Sequence, residues 1–117
     1  VLEPVRSSFL LGQPIEWASV HRLPDYAYFN HAAHVTKGVA CETCHGRVDR
    51  MPKTVKTQTM SMGWCLDCHR DPVPQLRPQD AVFTMGYEPH GRNLPDDLRA
   101  FYQEASRRLT SCNTCHR

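Results

Sequence analysis

The chain has 117 residues, with 14 basic and 12 acidic side chains and a formal net charge of +2. That length suits one domain, 1–117, and so small a charge, with no basic run interleaved with aromatics, excludes a nucleic-acid surface. A mean hydropathy of −0.54, nine prolines and no long apolar run between Val35 and Cys112 leave little aliphatic material for a core, so something else must supply the interior.

Residues 1–20 have mixed polarity with Pro4 and Pro14 and read as an extended N-terminal arm. Val1, in place of Met, reads as a processed or trimmed start. No segment approaches the roughly 18 apolar residues of a membrane span, and FLLG at 9–12 is far too short.

The next stretch, FNHAAHVTKGVACETCH at 29–45, carries two features. His31 and His34 are three apart, so one helical turn sets them on neighbouring faces, able to reach two different irons. The closing CETCH then recurs as CLDCH at 65–69 and CNTCH at 112–116. All six cysteines fall in these pairs, Cys41/Cys44, Cys65/Cys68 and Cys112/Cys115, followed at once by His45, His69 and His116. A redox dithiol explains the cysteine spacing and leaves the histidines unexplained. Zinc needs closed sets of four ligands and has no use for a histidine directly after the second cysteine. Covalent haem c does require it: the two thiols add across porphyrin vinyl groups and the next residue's imidazole becomes the proximal iron ligand. With 7 histidines in 117 residues, chance does not place one after every pair. Three haem c groups would then form much of the interior and tie down the C-terminus.

An electron-transfer haem takes a second protein ligand, whereas a catalytic haem keeps that position open. The remaining histidines are His21, His31, His34 and His90, and the methionines are Met51, Met60, Met62 and Met85. Trp64 and Tyr28 flank these residues, suited to porphyrin stacking or to ordinary packing. Residues 71–80, DPVPQLRPQD, hold three prolines and read as polyproline II over the second motif. With the loop MGYEPHGRN at 85–93 they make a Pro-rich connection, 71–94. Residues 95–109 are the clearest helix: Pro95 and the acidic pair Asp96 and Asp97 mark its start, and Leu98, Phe101, Tyr102, Ala105 and Leu109 recur at helical spacing. Its basic end, Arg107 and Arg108, reads as a solvated face or a propionate partner. Residues 95–117 thus join this helix to the third motif. The fold class is mainly α and irregular, a small multihaem cytochrome c fold of short helices and loops wrapped around three haems, with little or no sheet.

FNHAAHVTKGVACETCH resembles the opening of small class III multihaem cytochromes, in the triheme branch. There an F-x-H-x-x-H segment precedes the first motif by seven residues, as His34 precedes Cys41, and the second motif follows at the 24-residue spacing of Cys41 to Cys65. The resemblance implies that His31 pairs with His45 on haem 1, and His34 with His116 on haem 3. It puts the distal ligand of haem 2 a few residues before its motif, where this chain reads TMSMGWC. Met62 is the natural substitute, with His21, Met60 and His90 as alternatives. His/Met ligation would raise that haem's potential above a bis-His pair. The run VHRLPDYAYFNHAAHV, with CETCHGRVDRM, SMGWCLDCHRDP and LRP after it, is also similar to the C-terminal triheme part of the multihaem cytochrome subunit of alternative complex III. That complex oxidises quinol and feeds periplasmic acceptors. The resemblance implies an electron carrier rather than a catalyst, exported to the periplasm or beyond. Its partners would be other cytochromes or a membrane quinol oxidoreductase. Two further readings keep the haems: a homo-oligomeric extracellular filament, and a multihaem reductase with one open haem.

Overall fold

A computed structural model describes residues 2–88 and 95–116. His90 lies outside the described residues. Among the described residues six α-helices follow one another: α1 Glu3–Leu11, α2 His31–Val35, α3 Cys41–His45, α4 Met62–Arg70, α5 Asp96–Leu109 and α6 Cys112–Cys115. Among the described residues there is no strand, only two isolated antiparallel bridges, Ala27 with His116 and Val39 with Leu76. The mainly α and irregular class expected from the sequence is what forms.

Local chemistry accounts for the helix ends. The Asn30 side chain accepts from the Ala32 and Ala33 N–H groups at 2.9 and 3.4 Å, capping α2. Ser61 caps α4 by accepting from the Trp64 N–H at 3.3 Å. In α5, Pro95 precedes a first turn bearing Asp96 and Asp97, and Arg107 and Arg108 sit in the last turn, each charge matched to the helix dipole. The N-terminal arm, expected to be extended, is helical over Glu3–Leu11. Pro4 sits in its first turn, and Gly12 closes it in the left-handed region at φ 61°. No residue of α1 is buried.

The Pro-rich connection also departs from expectation. Instead of a continuous polyproline II run it makes two 3-10 turns, Val73–Gln75 and Gln79–Ala81. Pro72 has ψ −22°, which breaks the extended helix, whereas Pro78 keeps ψ 146°. This connection supplies the main aliphatic core: Val73 and Leu76 pack with Tyr102 of α5, and Val39 joins them. The Tyr102 hydroxyl donates to the Lys37 carbonyl at 3.3 Å. So small a core fits an interior left largely to other groups. The molecule measures 54 × 34 × 21 Å, and among the described residues no helix is long and apolar enough to cross a membrane.

Candidate haem sites

The first motif is the most firmly held. Ala40, just before α3, is buried, and so is Arg77. The Arg77 guanidinium donates to the Glu42 carboxylate inside the motif and to the Thr84 carbonyl at 2.8 Å. It also lies over the Tyr87 ring, 5.4 Å from its centre. The Gly86 N–H donates to the other Glu42 oxygen at 2.6 Å, and Arg47 approaches that oxygen at 3.8 Å. Burial pushes the Glu42 carboxyl up, but the Gly86 N–H, then Arg77 and Arg47, outweigh it and hold the group below the usual carboxylate range. Gly38 has φ +91°, and a Cβ there would lie 2.5 Å from the Arg77 carbonyl oxygen. Only glycine lets the loop before α3 approach the Arg77 backbone, whose N–H donates to the Gly38 carbonyl at 2.9 Å.

The histidines fall into facing pairs. The His31 and His45 rings lie 6.3 Å apart between centres and are parallel to within 8°. The His34 and His69 rings lie 6.0 Å apart at 26°. A metal–imidazole bond of about 2 Å, with roughly 1.1 Å from nitrogen to ring centre, sets two imidazoles across one metal about 6 Å apart. Both pairs have that spacing. His31 and His34 reach their partners from a single turn, α2, and Phe29 packs against both, stacked on His34 at 4.5 Å and edge-on to His31 at 4.7 Å.

Hydrogen bonding orients the rings. Nδ1 of His34 lies 2.8 Å from the Asn30 carbonyl, Nδ1 of His69 is 2.9 Å from the Leu109 carbonyl, and Nδ1 of His116 is 3.0 Å from the Tyr26 carbonyl. A carbonyl oxygen only accepts, so in each ring Nδ1 carries the proton and Nε2 keeps its lone pair. This is the arrangement that metal-binding histidines adopt. Burial lowers the His34 pKa, and the neighbouring His69 and His31 lower it further against the bond to Asn30. Burial, then His21 and His31, lower that of His45. Both shifts favour the neutral imidazole, the form a metal binds.

The structure brings His34 to His69, whereas the expectation paired it with His116 and gave the second motif Met62. Met62 is 61% exposed at the start of α4. His21 lies edge-on to His45 at 4.4 Å, too close for two rings across one metal, and its Nε2 is buried without a hydrogen-bond partner. It belongs to the surroundings of the first motif. The third motif is held by the backbone: the Tyr28 N–H donates to the Cys115 carbonyl at 2.8 Å, and the Tyr26 ring lies 5.9 Å from His116. Met60, immediately before the cap of α4, is the one non-glycine among the described residues with positive φ, at 50°, a conformation costing about 1–3 kcal/mol.

The cysteines are of intermediate exposure, except Cys112, which is exposed. Burial pushes the Cys44 thiol up to about 11, helped by Cys68, Cys65 and Cys41, and burial also raises Cys65 and Cys68. Redox dithiols need the opposite shift. Among the described residues no three His, Cys, Asp or Glu side chains gather as a metal cage. Two-imidazole pairs, each adjoining a CxxC, instead fit a ligand that brings its own equatorial donors, as a porphyrin does.

Sequence reading did not foresee the Glu42–Arg77 pair, the Phe29 wedge, or the carbonyls of Tyr26 and Leu109. The ion pair and the two carbonyls join residues far apart in the chain, the carbonyls through backbone atoms that carry no signature, whereas Phe29 lies beside its histidines in the sequence and nothing in a single phenylalanine marks its packing. The family model for cytochrome c7 and related cytochrome c matches residues 27–117. No curated protein matches the chain.

Proposed function

Because the chain belongs to the family of cytochrome c7 and related cytochrome c, and so is a multihaem c-type cytochrome of electron transport, we propose that it carries three haem c groups and relays electrons without catalysis of its own. The observation that carries this reading is the two imidazole pairs at 6.3 and 6.0 Å, each adjoining a CxxC. When bound, haem supplies one-electron exchange between ferric and ferrous iron.

The chain's residues then divide the work. Cys41 and Cys44, Cys65 and Cys68, and Cys112 and Cys115 anchor haems 1, 2 and 3 through thioethers. His45, His69 and His116 are the proximal ligands. His31 would be the distal ligand of haem 1 and His34 that of haem 2, in place of the Met62 read from TMSMGWC as a substitute for the family's ligand at that position. Nδ1 donation to the carbonyls of Asn30, Leu109 and Tyr26 keeps Nε2 of His34, His69 and His116 available and resists rotation of those rings. The protein acts outside the cytoplasm, accepting electrons from a quinol-oxidising complex or a reductase and passing them to another redox protein.

Mass spectrometry of the chain matured in a host that attaches haem c tests the count. Three added haems are expected, and fewer overturn it. His34→Ala tests the pairing: one iron becomes high-spin and binds carbon monoxide. Removing the second attachment site in the same chain, with Cys65→Ala and Cys68→Ala, abolishes that binding. Carbon monoxide binding that survives the removal overturns the assignment of His34 to haem 2.

A further inference from the structure

Positive charge is unevenly placed along the chain. Residues 46–66 carry Arg47, Arg50, Lys53 and Lys56 against Asp49 alone, a formal +3, which leaves −1 for the rest of the chain. Arg47 is taken up by its neighbours: it donates twice to the Asp49 carboxylate, at 2.8 and 2.7 Å, and lies 3.8 Å from Glu42. Arg50, Lys53 and Lys56 are exposed, and among the described residues no ion pair holds any of them. Elsewhere Arg70 pairs with Asp67 at 2.8 Å and Arg77 with Glu42. Protein surfaces ordinarily intersperse the two signs, and a field of one sign steers an oppositely charged partner.

The loop that carries these cations lies against the first motif. Gly46, directly after His45, has φ +67°, and a Cβ there would lie 2.9 Å from the Thr57 side chain. The chain thus leaves the motif at Gly46, passes through the 3-10 turn Val48–Arg50 and returns at Thr57. Gln58 then lines one cavity with Thr43, Gly46 and Arg47. Two carboxylates also line it, Glu42, which Arg77 holds, and Glu88, which comes from a distant segment. Between the lysines stands Val55, 52% exposed. An apolar side chain flanked by cations matches the anatomy of a protein interface, apolar at its centre and polar at its rim. An anionic bilayer fits less well: it takes clusters of roughly four to eight Lys or Arg, and a single valine offers little to insert.

We propose that the loop 50–57 docks the acidic face of a partner redox protein, and that electrons are exchanged with that partner at haem 1. This rests on the proposed electron-relay reading. One electron passes per encounter, one centre being oxidised as the other is reduced. Exposed cations raise the encounter rate more than the affinity, and salt screens both effects.

Titration of the oxidised holoprotein with a decaglutamate peptide, followed by nuclear magnetic resonance at low ionic strength, tests this. Shifts should centre on residues 47–57 and on the haem of the first motif, and should vanish at high salt. Lys53→Glu combined with Lys56→Glu should weaken binding about tenfold, with the mass of three haems unchanged. The same reversal at Arg107 and Arg108 should weaken it by less than about twofold. Wild-type shifts centred on another motif overturn the proposal even if neither variant folds. Equal weakening by the two reversals overturns it as well. So does cosedimentation of the wild type with phosphatidylglycerol vesicles that the Lys53 and Lys56 reversal abolishes, which assigns the loop to lipid. These results leave the three-haem reading standing, whereas a wild-type mass short of three haems removes the reading on which the proposal rests.

Discussion

The first and third motifs share a pentapeptide pattern and are supported in opposite ways. CETCH at 41–45 is pinned by side chains: Glu42 reaches the buried Arg77, and the Gly86 N–H completes the carboxylate. Among the described residues no ion pair holds CNTCH at 112–116, whose Thr114 hydroxyl donates to the Arg108 carbonyl at 2.8 Å. It is tied by main-chain groups of residues 26–28, through the Tyr28 N–H and the Tyr26 carbonyl. CxxCH therefore specifies what is attached and leaves the strength of the mounting to the variable residues and to the chain around it.

Replacing Arg77 should separate the two motifs most sharply. Arg77→Ala leaves Glu42 with only the Gly86 N–H and the more distant Arg47 and should cost up to about 3 kcal/mol. Chemical denaturation of the holoprotein measures the loss, and Arg77→Met with Glu42→Gln should recover much of it. Hydrogen exchange should rise first around residues 38–46 and only later at 112–116.

Acid probes the same contact without mutation. The folded-state pKa of Glu42 lies below its unfolded value. Its contribution to stability is thus complete above the ordinary carboxylate range and is lost as pH falls through the lowered value. Thermal melts across that acid range should show a drop that Glu42→Gln lacks.

Tyr28→Pro removes the N–H that holds Cys115 and should cost about 1 kcal/mol. Exchange should accelerate at 112–116 and stay unchanged at 41–45. The smallest effect is expected of Phe29→Leu, which keeps bulk at α2 but loses the ring contacts with His31 and His34, worth about 0.5–1.5 kcal/mol at most. Electron paramagnetic resonance should show broader signals from the two bis-His irons, with haem 3 unaffected.

Much of this was legible because it is local. The three motifs, the single turn bearing His31 and His34, and α5 with Pro95 and its acidic start depend on residues within one or two turns of each other. Pro4 and Gly12 also signalled α1, yet the arm's polarity hid the helix. The Pro-rich connection misled because proline fixes φ and leaves ψ free: Pro72 turned where Pro78 extended. The partner of His34 was not legible. Its 35-residue separation from His69 is closed only by the tertiary fold, which no spacing rule encodes. Family likeness pointed instead to His116.

α2 is five residues long and carries both His31 and His34. A roll of that one turn about its axis carries both rings at once, so under the proposed ligation neither iron's bond would be strained independently of its neighbour's. The two centres are yoked mechanically, and the cap at Asn30 is the axle bearing for both.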